Sequence, residues 1–234
     1  MSRRRRIDHG NWPLHVIARG VAEDALFPDD ASCLLFWDEF GVQAREFDVA
    51  IGHVCLMRTH YHLLVRAHPD ALAGALHRTH SKLAWLRNLE GRRRGTVFGR
   101  RYQVIPIDTA KHLLAVSRYI PMNPVKARLV GDPSDWRWST HRFLAGREAS
   151  PEWFDVRTAL RMVAFFSSRS YERWVLADTP LALPPMNERE LLDHRVCSLA
   201  EWGMSNADIA EVLDLSERTV RRRIAQAAIR RRSE

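Results

Sequence analysis

Lysine is nearly missing from this chain of 234 residues: only Lys82, Lys111 and Lys126 occur, so 33 of the 36 basic residues are arginine. The planar guanidinium fork matches phosphate oxygens better than an ammonium does. Against 28 acidic residues it leaves a net charge of +8, which points to nucleic acid. The competing reading is an arginine surplus that serves solubility alone. Cysteine is also scarce. Cys33, Cys55 and Cys197 are odd in number and far apart, which excludes a disulfide framework and a zinc knuckle and predicts reduced, mostly buried, cytoplasmic thiols. There is no apolar run of about 18 residues, so no membrane span or membrane partner is expected. The basic start Met1–Arg6 runs into Ile-Asp-His-Gly-Asn rather than an apolar stretch, so no export signal is read there. No glycine-rich phosphate loop is present, which argues against ATP chemistry. What remains is an ordinary globular balance, 46% apolar and 27% charged.

Charge and punctuation divide the chain. Seven arginines, at 218, 221, 222, 223, 230, 231 and 232, stand against Glu217 and Glu234, giving the tail a net +5. Upstream, Asp178–Asn187 carries three prolines and few periodic positions, which marks a linker over 178–188. The expected organisation is a first domain over 1–145, a helical extension over 146–177 packed on it, the linker, and a module over 189–234. In the first domain, strand signals at Leu14–Gly20, Phe47–Met57, His60–Ala67 and Phe98–Ile107 alternate with helical spacing at Asp30–Gln43, Ala71–Leu89 and from Ala110 to about Ile120. The order β-α-β-β-α-β-α predicts an α+β fold, a ferredoxin-like antiparallel sheet with helices on one face, followed by an all-α C-terminal module.

Two local patterns carry chemistry. In His60-Tyr61-His62 the imidazoles are two apart on a strand, hence on one face about 7 Å apart, with Tyr61 on the other. Such a pair either ligates a metal or is two ordinary half-buried histidines. His15, His53, His77 and His80 are read as ordinary. In Ser117–Arg128, Tyr119 and Asn123 are four apart, so a continuous helix would place them on one face. That is a nucleophile and a ligand sharing a face, or a tyrosine packed beside Val116. Pro121 removes a helical N–H and Pro124 pushes Asn123 from the α region, which predicts that the helix kinks or ends between them.

Together, the apolar strand entering His60-Tyr61-His62-Leu-Leu-Val65 and the downstream Tyr119-Ile-Pro-Met-Asn-Pro-Val-Lys-Ala127 resemble the single-tyrosine HUH transposases of bacteria, most closely the REP-associated tyrosine transposases. His15–Gly20 and Trp136–Ser139 extend the resemblance over roughly residues 8–145. It implies a ferredoxin-like fold, Tyr119 as catalytic nucleophile, and His60, His62 and Asn123 as ligands of a divalent ion, magnesium or manganese, although ligand softness alone would suggest zinc. It further implies cleavage and rejoining of single-stranded or hairpin DNA through a 5′-phosphotyrosine link, in a cytoplasmic, nucleoid-associated protein for which a homodimer is open. The alternative is a non-catalytic DNA-binding regulator that keeps the fold. The family commonly has asparagine before the first histidine, where this chain has Thr59.

The tail resembles a helix-turn-helix. Ser205–Asp208 reads as a capping box before Ile209, Ala210 and Leu213, and Asp214–Ser216 as a turn into a recognition helix. Arg218, Thr219, Arg221 and Arg222 are expected to reach duplex DNA from that helix. Arg92, Arg93, Arg94, Arg100 and Arg101 are the DNA-binding candidates of the first domain. The aromatic residues of 151–177 are expected to pack rather than form a base-stacking platform.

Overall fold

In the computed structural model the chain divides into two compact units, residues 1–181 and 182–234. The residues described are 13–21, 25–90, 95–107, 109–165, 167–177, 193, 196, 200, 206–213 and 215–230. The predicted linker, Arg92, Arg93, Arg94, Phe166, Cys197, Ser205 and Asp214 lie outside them.

The first unit is built on strands β1 (Leu14–Arg19), β2 (Ala50–Met57), β3 (His60–Arg66) and β4 (Gln103–Pro106), in the order β2-β3-β1-β4 with every pairing antiparallel. Helix α1 (Asp30–Glu46) lies between β1 and β2, and α2 (Pro69–Glu90) between β3 and β4. This is the ferredoxin-like arrangement, with β3 inserted between β1 and β2. The Asp29 carboxylate caps α1 by accepting from the Ser32 N–H at 2.8 Å.

Alternation along the strands sorts the sheet into two faces. Leu14, Val16 and Ala18 of β1 are partnered by Val65, Leu63 and Tyr61 of β3. Tyr61 meets Phe36 of α1, with ring centroids 4.7 Å apart, and its hydroxyl reaches Nε2 of His80 on α2 at 2.7 Å, so α1 and α2 cover this face. The other face presents His15, Ile17 and Arg19 beside Leu64, His62 and His60. Helix α3 (Ala110–Lys126), which packs against β2 and β3, lies over it. The sheet thus carries further helices beyond the α1–α2 layer.

Helix α3 corrects the expectation drawn from its prolines. It continues unbroken through Pro121 and Pro124 to Lys126, capped at the start by the Thr109 hydroxyl, which accepts from the His112 N–H. Pro124 has no N–H to offer the Ile120 carbonyl, and the Asn123 side-chain amide takes over, donating to that carbonyl at 3.3 Å and to the Tyr119 carbonyl at 2.7 Å. A side chain therefore satisfies an acceptor that the proline leaves unpaired.

Past α3, the segment 136–140 lines the free edge of β2. Leu56 N–H donates to the Trp138 carbonyl, Thr140 N–H to the Val54 carbonyl, and the Trp136 indole N–H to the Leu56 carbonyl. The short helices α4 (His141–Leu144), α5 (Val156–Met162) and α6 (Ser168–Leu176) follow. Phe154, Phe165, Tyr171 and Trp174 are buried there, as packing predicts. The Arg118 guanidinium of α3 donates to the Val175 carbonyl, which ties α6 to the helix that carries Tyr119.

In the second unit, α7 (Asn206–Leu213) and α8 (Glu217–Arg230) pack through a small core of Val196, Ile209, Ala210 and Val220. The Ser216 hydroxyl accepts from the Thr219 N–H at the start of α8.

Gly41 of α1 admits the Trp153 ring so closely that an added Cβ would stand 2.3 Å from its Cγ. Gly41→Ala should lower unfolding free energy by about 1–3 kcal/mol through overpacking, read from denaturant melts. An unchanged midpoint would show that Trp153 is free to move aside.

Candidate functional site

β1 and β3 place three histidines on one face, and α3 lays a tyrosine against them. The ring centroids of His60 and His62 are 5.0 Å apart, those of His15 and His62 5.2 Å. Tyr119 stands edge-on to both His62, at 5.4 Å, and His15, at 6.0 Å. The structure thus brings His60, His62 and Tyr119 together. Asn123 lies on the same helix one turn on, with its amide nitrogen engaged by the carbonyls of Tyr119 and Ile120.

Burial differs within the group, and the difference bears on chemistry. His62 is buried and His60 partly so, whereas Tyr119 is 40% exposed, so its hydroxyl-bearing ring is open to a large molecule. Each of the two β3 histidines has its Nδ1 engaged. Thr59 Oγ1 lies 3.1 Å from His60 Nδ1, and His15 Nε2 lies 3.0 Å from His62 Nδ1. The buried Nε2 of His62 has no partner, and a lone buried polar nitrogen is costly unless something fills it. Two imidazoles with Nδ1 occupied and Nε2 available fit a bound cation. Among the described residues no three His, Cys, Asp or Glu side chains form a ready metal cage.

Electrostatics keep these rings neutral. Burial, together with the neighbouring histidines and Arg19, lowers the His62 pKa from 6.5 to about 3. Burial and Arg19 bring His60 to about 4, and burial and His112 bring His15 to about 4. Neutral imidazole is the ligating form. Two cations flank the group: Arg19, exposed and paired in register with His60, and Lys126, whose Nζ sits 4.9 Å from the centre of the Tyr119 ring.

Sequence reasoning missed three of these neighbours. His15, which its own strand's pattern leaves ordinary, has a ring that contacts both His62 and Tyr119. The signal that places it is the pairing of Ile17 with His62, which sets His15 on the histidine face. Arg19 follows from the same register. Lys126, seven residues after Tyr119, shares its helical face.

Arg100 and Arg101 lie elsewhere. With His80, Phe98 and Tyr102 they line a pocket on the α2 side, the face opposite the histidines. In the second unit Arg218, Arg221 and Arg222 are exposed on α8 and Thr219 is half-buried, with Arg221 paired to Glu217 at 2.7 Å.

A second buried polar group lies on the same sheet face. Tyr171 Oη is 2.9 Å from His141 Nδ1 and 3.3 Å from His53 Nε2. Burial lowers His53 to about 3 and His141 to about 4. Since every one of these histidines is neutral when folded and has an ordinary pKa of 6.5 when unfolded, the unfolded chain binds more protons below pH 6.5. Stability should be complete above that value and fall as the pH drops from 6.5 towards 4. Thermal melts across this range test it, and a flat profile would contradict the burial of these rings.

The chain is similar to known proteins in two segments. Residues 14–123 match the family model described as "Transposase IS200 like", and residues 202–230 match "Sigma-70, region 4". No curated protein matches the chain. Among solved structures, one of a REP-associated tyrosine transposase bound to a REP hairpin aligns with a TM-score of 0.53 at 17% identity, covering 64% of this chain and 89% of that one, a likeness of fold. No described helix is long and apolar enough to cross a membrane. Through residues 14–123 the chain is therefore similar to the IS200-like transposase family, with a region similar to sigma-70 region 4 downstream.

Proposed function

We propose that this chain cleaves and rejoins single-stranded DNA, with Tyr119 as nucleophile and a divalent cation, magnesium or manganese, held by His60 and His62. The observation that carries the reading is the exposed Tyr119 ring standing edge-on to His62, whose buried Nε2 has no partner. The match to the transposase model supports DNA as the substrate, and a REP hairpin is what the structural neighbour is bound to.

In this reading the Tyr119 oxygen attacks a phosphodiester. The Tyr119 O–P bond forms as the P–O3′ bond breaks; the phenolic proton is lost, and the departing 3′-oxygen gains one. The products are a 5′-phosphotyrosine and a free 3′-OH. Attack of a 3′-OH on that link rejoins a strand, and no nucleotide triphosphate is consumed because the phosphodiester energy is retained. A bound cation would polarise the phosphate and offset its growing charge. Arg19 and Lys126 supply fixed positive charge on either side, and the neutral histidines keep their lone pairs for the cation. Asn123 would offer its amide oxygen as a third ligand, its nitrogen being held by the helix.

The C-terminal unit would bind duplex DNA, with Arg218, Thr219, Arg221 and Arg222 at the start of α8. Arg100 and Arg101, with Arg92, Arg93 and Arg94, would hold further backbone. A homodimer is compatible with this division, and nucleoid association would follow from it.

Tyr119→Phe keeps the ring and removes the nucleophile, so it should bind a labelled hairpin oligonucleotide as well as wild type yet form no covalent adduct in manganese. His60→Ala and His62→Ala should each lose cleavage and bind manganese more weakly. An adduct retained by Tyr119→Phe would end the assignment, and no adduct from wild type with any metal or sequence tried would favour the non-catalytic regulator.

Deleting residues 189–234 should flatten the salt dependence of duplex binding, because each arginine–phosphate contact releases counterions. The adduct with single-stranded substrate should survive, at higher DNA concentration. An unchanged salt slope would move duplex binding to the first unit.

A further inference from the structure

We infer that His15 is a positioning residue that fixes the tautomer of His62 and thereby aims the His62 Nε2 lone pair at the cation. The inference rests on the reading above and deepens it.

The two rings meet by Nε2 of His15 and Nδ1 of His62, 3.0 Å apart in a buried setting. One proton lies between them, and it sits on either nitrogen. If His15 donates, His62 Nδ1 is the acceptor; a neutral His62 must then carry its own proton on Nε2, where it points an N–H into the site and binds no cation. If His62 donates from Nδ1, its Nε2 keeps a lone pair, and Nε2 is the atom left without a partner. Only the second arrangement serves a cation, and it moves the His15 proton to Nδ1. The metal-facing nitrogen of His62 is thus set by what its other nitrogen does.

The sheet makes the pairing rigid. His15 is the second residue of β1, flanked by β3 and β4, with Leu64 and Ile105 as its register partners. His62, opposite Ile17, lies two pairs further along the same two strands and so on the same face. The Thr59 hydroxyl, 3.1 Å from His60 Nδ1, stands in the same relation to the other ligand, so each strand histidine has one nitrogen held and one turned to the site. His15 also meets the Tyr119 ring edge-on, so the ring that orients the ligand also packs against the nucleophile.

Glutamine and leucine separate hydrogen bonding from packing, because the terminal amide of glutamine reaches about as far as imidazole Nε2 and offers an acceptor, whereas leucine fills space and offers none. Manganese affinity, read by electron paramagnetic resonance of the free ion, should fall about 10- to 100-fold in His15→Leu and return most of the way in His15→Gln. Cleavage by His15→Leu should recover as manganese is raised. Should the leucine variant not fold by circular dichroism, the wild type carries the test. Nitrogen-15 spectra of its magnesium-loaded form should show His62 protonated at Nδ1 and His15 Nε2 unprotonated. A His62 proton on Nε2, or unchanged manganese affinity in a folded His15→Leu, overturns the inference while leaving Tyr119 chemistry intact. A wild type that forms no adduct and binds no manganese overturns the function and this inference together.

Discussion

Everything at the site depends on β3 lying between β1 and β2 in one fixed register. A strand turns successive side chains to opposite faces, so a slip of one residue would send His60 and His62 into the α1–α2 core and bring Tyr61 out. The register is held from both sides. On the core face Tyr61 is fully buried, packed on Phe36 and hydrogen-bonded to His80. On the other face Ile17 and Cys55 flank His62. The two-residue turn at Arg58 and Thr59 fixes where the hairpin reverses, and the Thr59 hydroxyl then contacts His60.

The second constraint is a helix that keeps its geometry despite two prolines. Tyr119, Asn123 and Lys126 share a face only if α3 is continuous, and Asn123 supports that continuity by bonding the carbonyl that Pro124 leaves without a donor. One side chain therefore serves the backbone and stands one turn from Tyr119. The tie from Arg118 to the Val175 carbonyl couples the pose of α3 to the helices of 141–176, so the extension supports the helix that carries Tyr119.

How far this was legible from sequence follows from which forces are local. Strand and helix periods are local, and the ferredoxin-like order could be read from them. The pairing of His60 with His62 on one face is a property of any strand, so it too was readable. His15 was not, because its place beside His62 depends on which strands pair and in what register, a long-range property that one strand's pattern does not contain. The helix break expected at Pro121 and Pro124 failed for a related reason. Local rules count the N–H groups that prolines remove but not the side chain that replaces one. Strand β4 is shorter than its apolar pattern suggested, since Phe98 makes only an isolated bridge to Gly20 before pairing with β1 resumes at Gln103.

The central claim is that one phenolic oxygen on α3 becomes bonded to DNA. Peptide mapping by mass spectrometry, after incubation of the full chain with a single-stranded hairpin oligonucleotide and manganese, locates that bond directly. The account predicts a nucleotide mass on the peptide containing Tyr119, attached through its 5′-phosphate. A nucleotide mass on the peptide of Tyr102, Tyr61 or Tyr171 instead would contradict it.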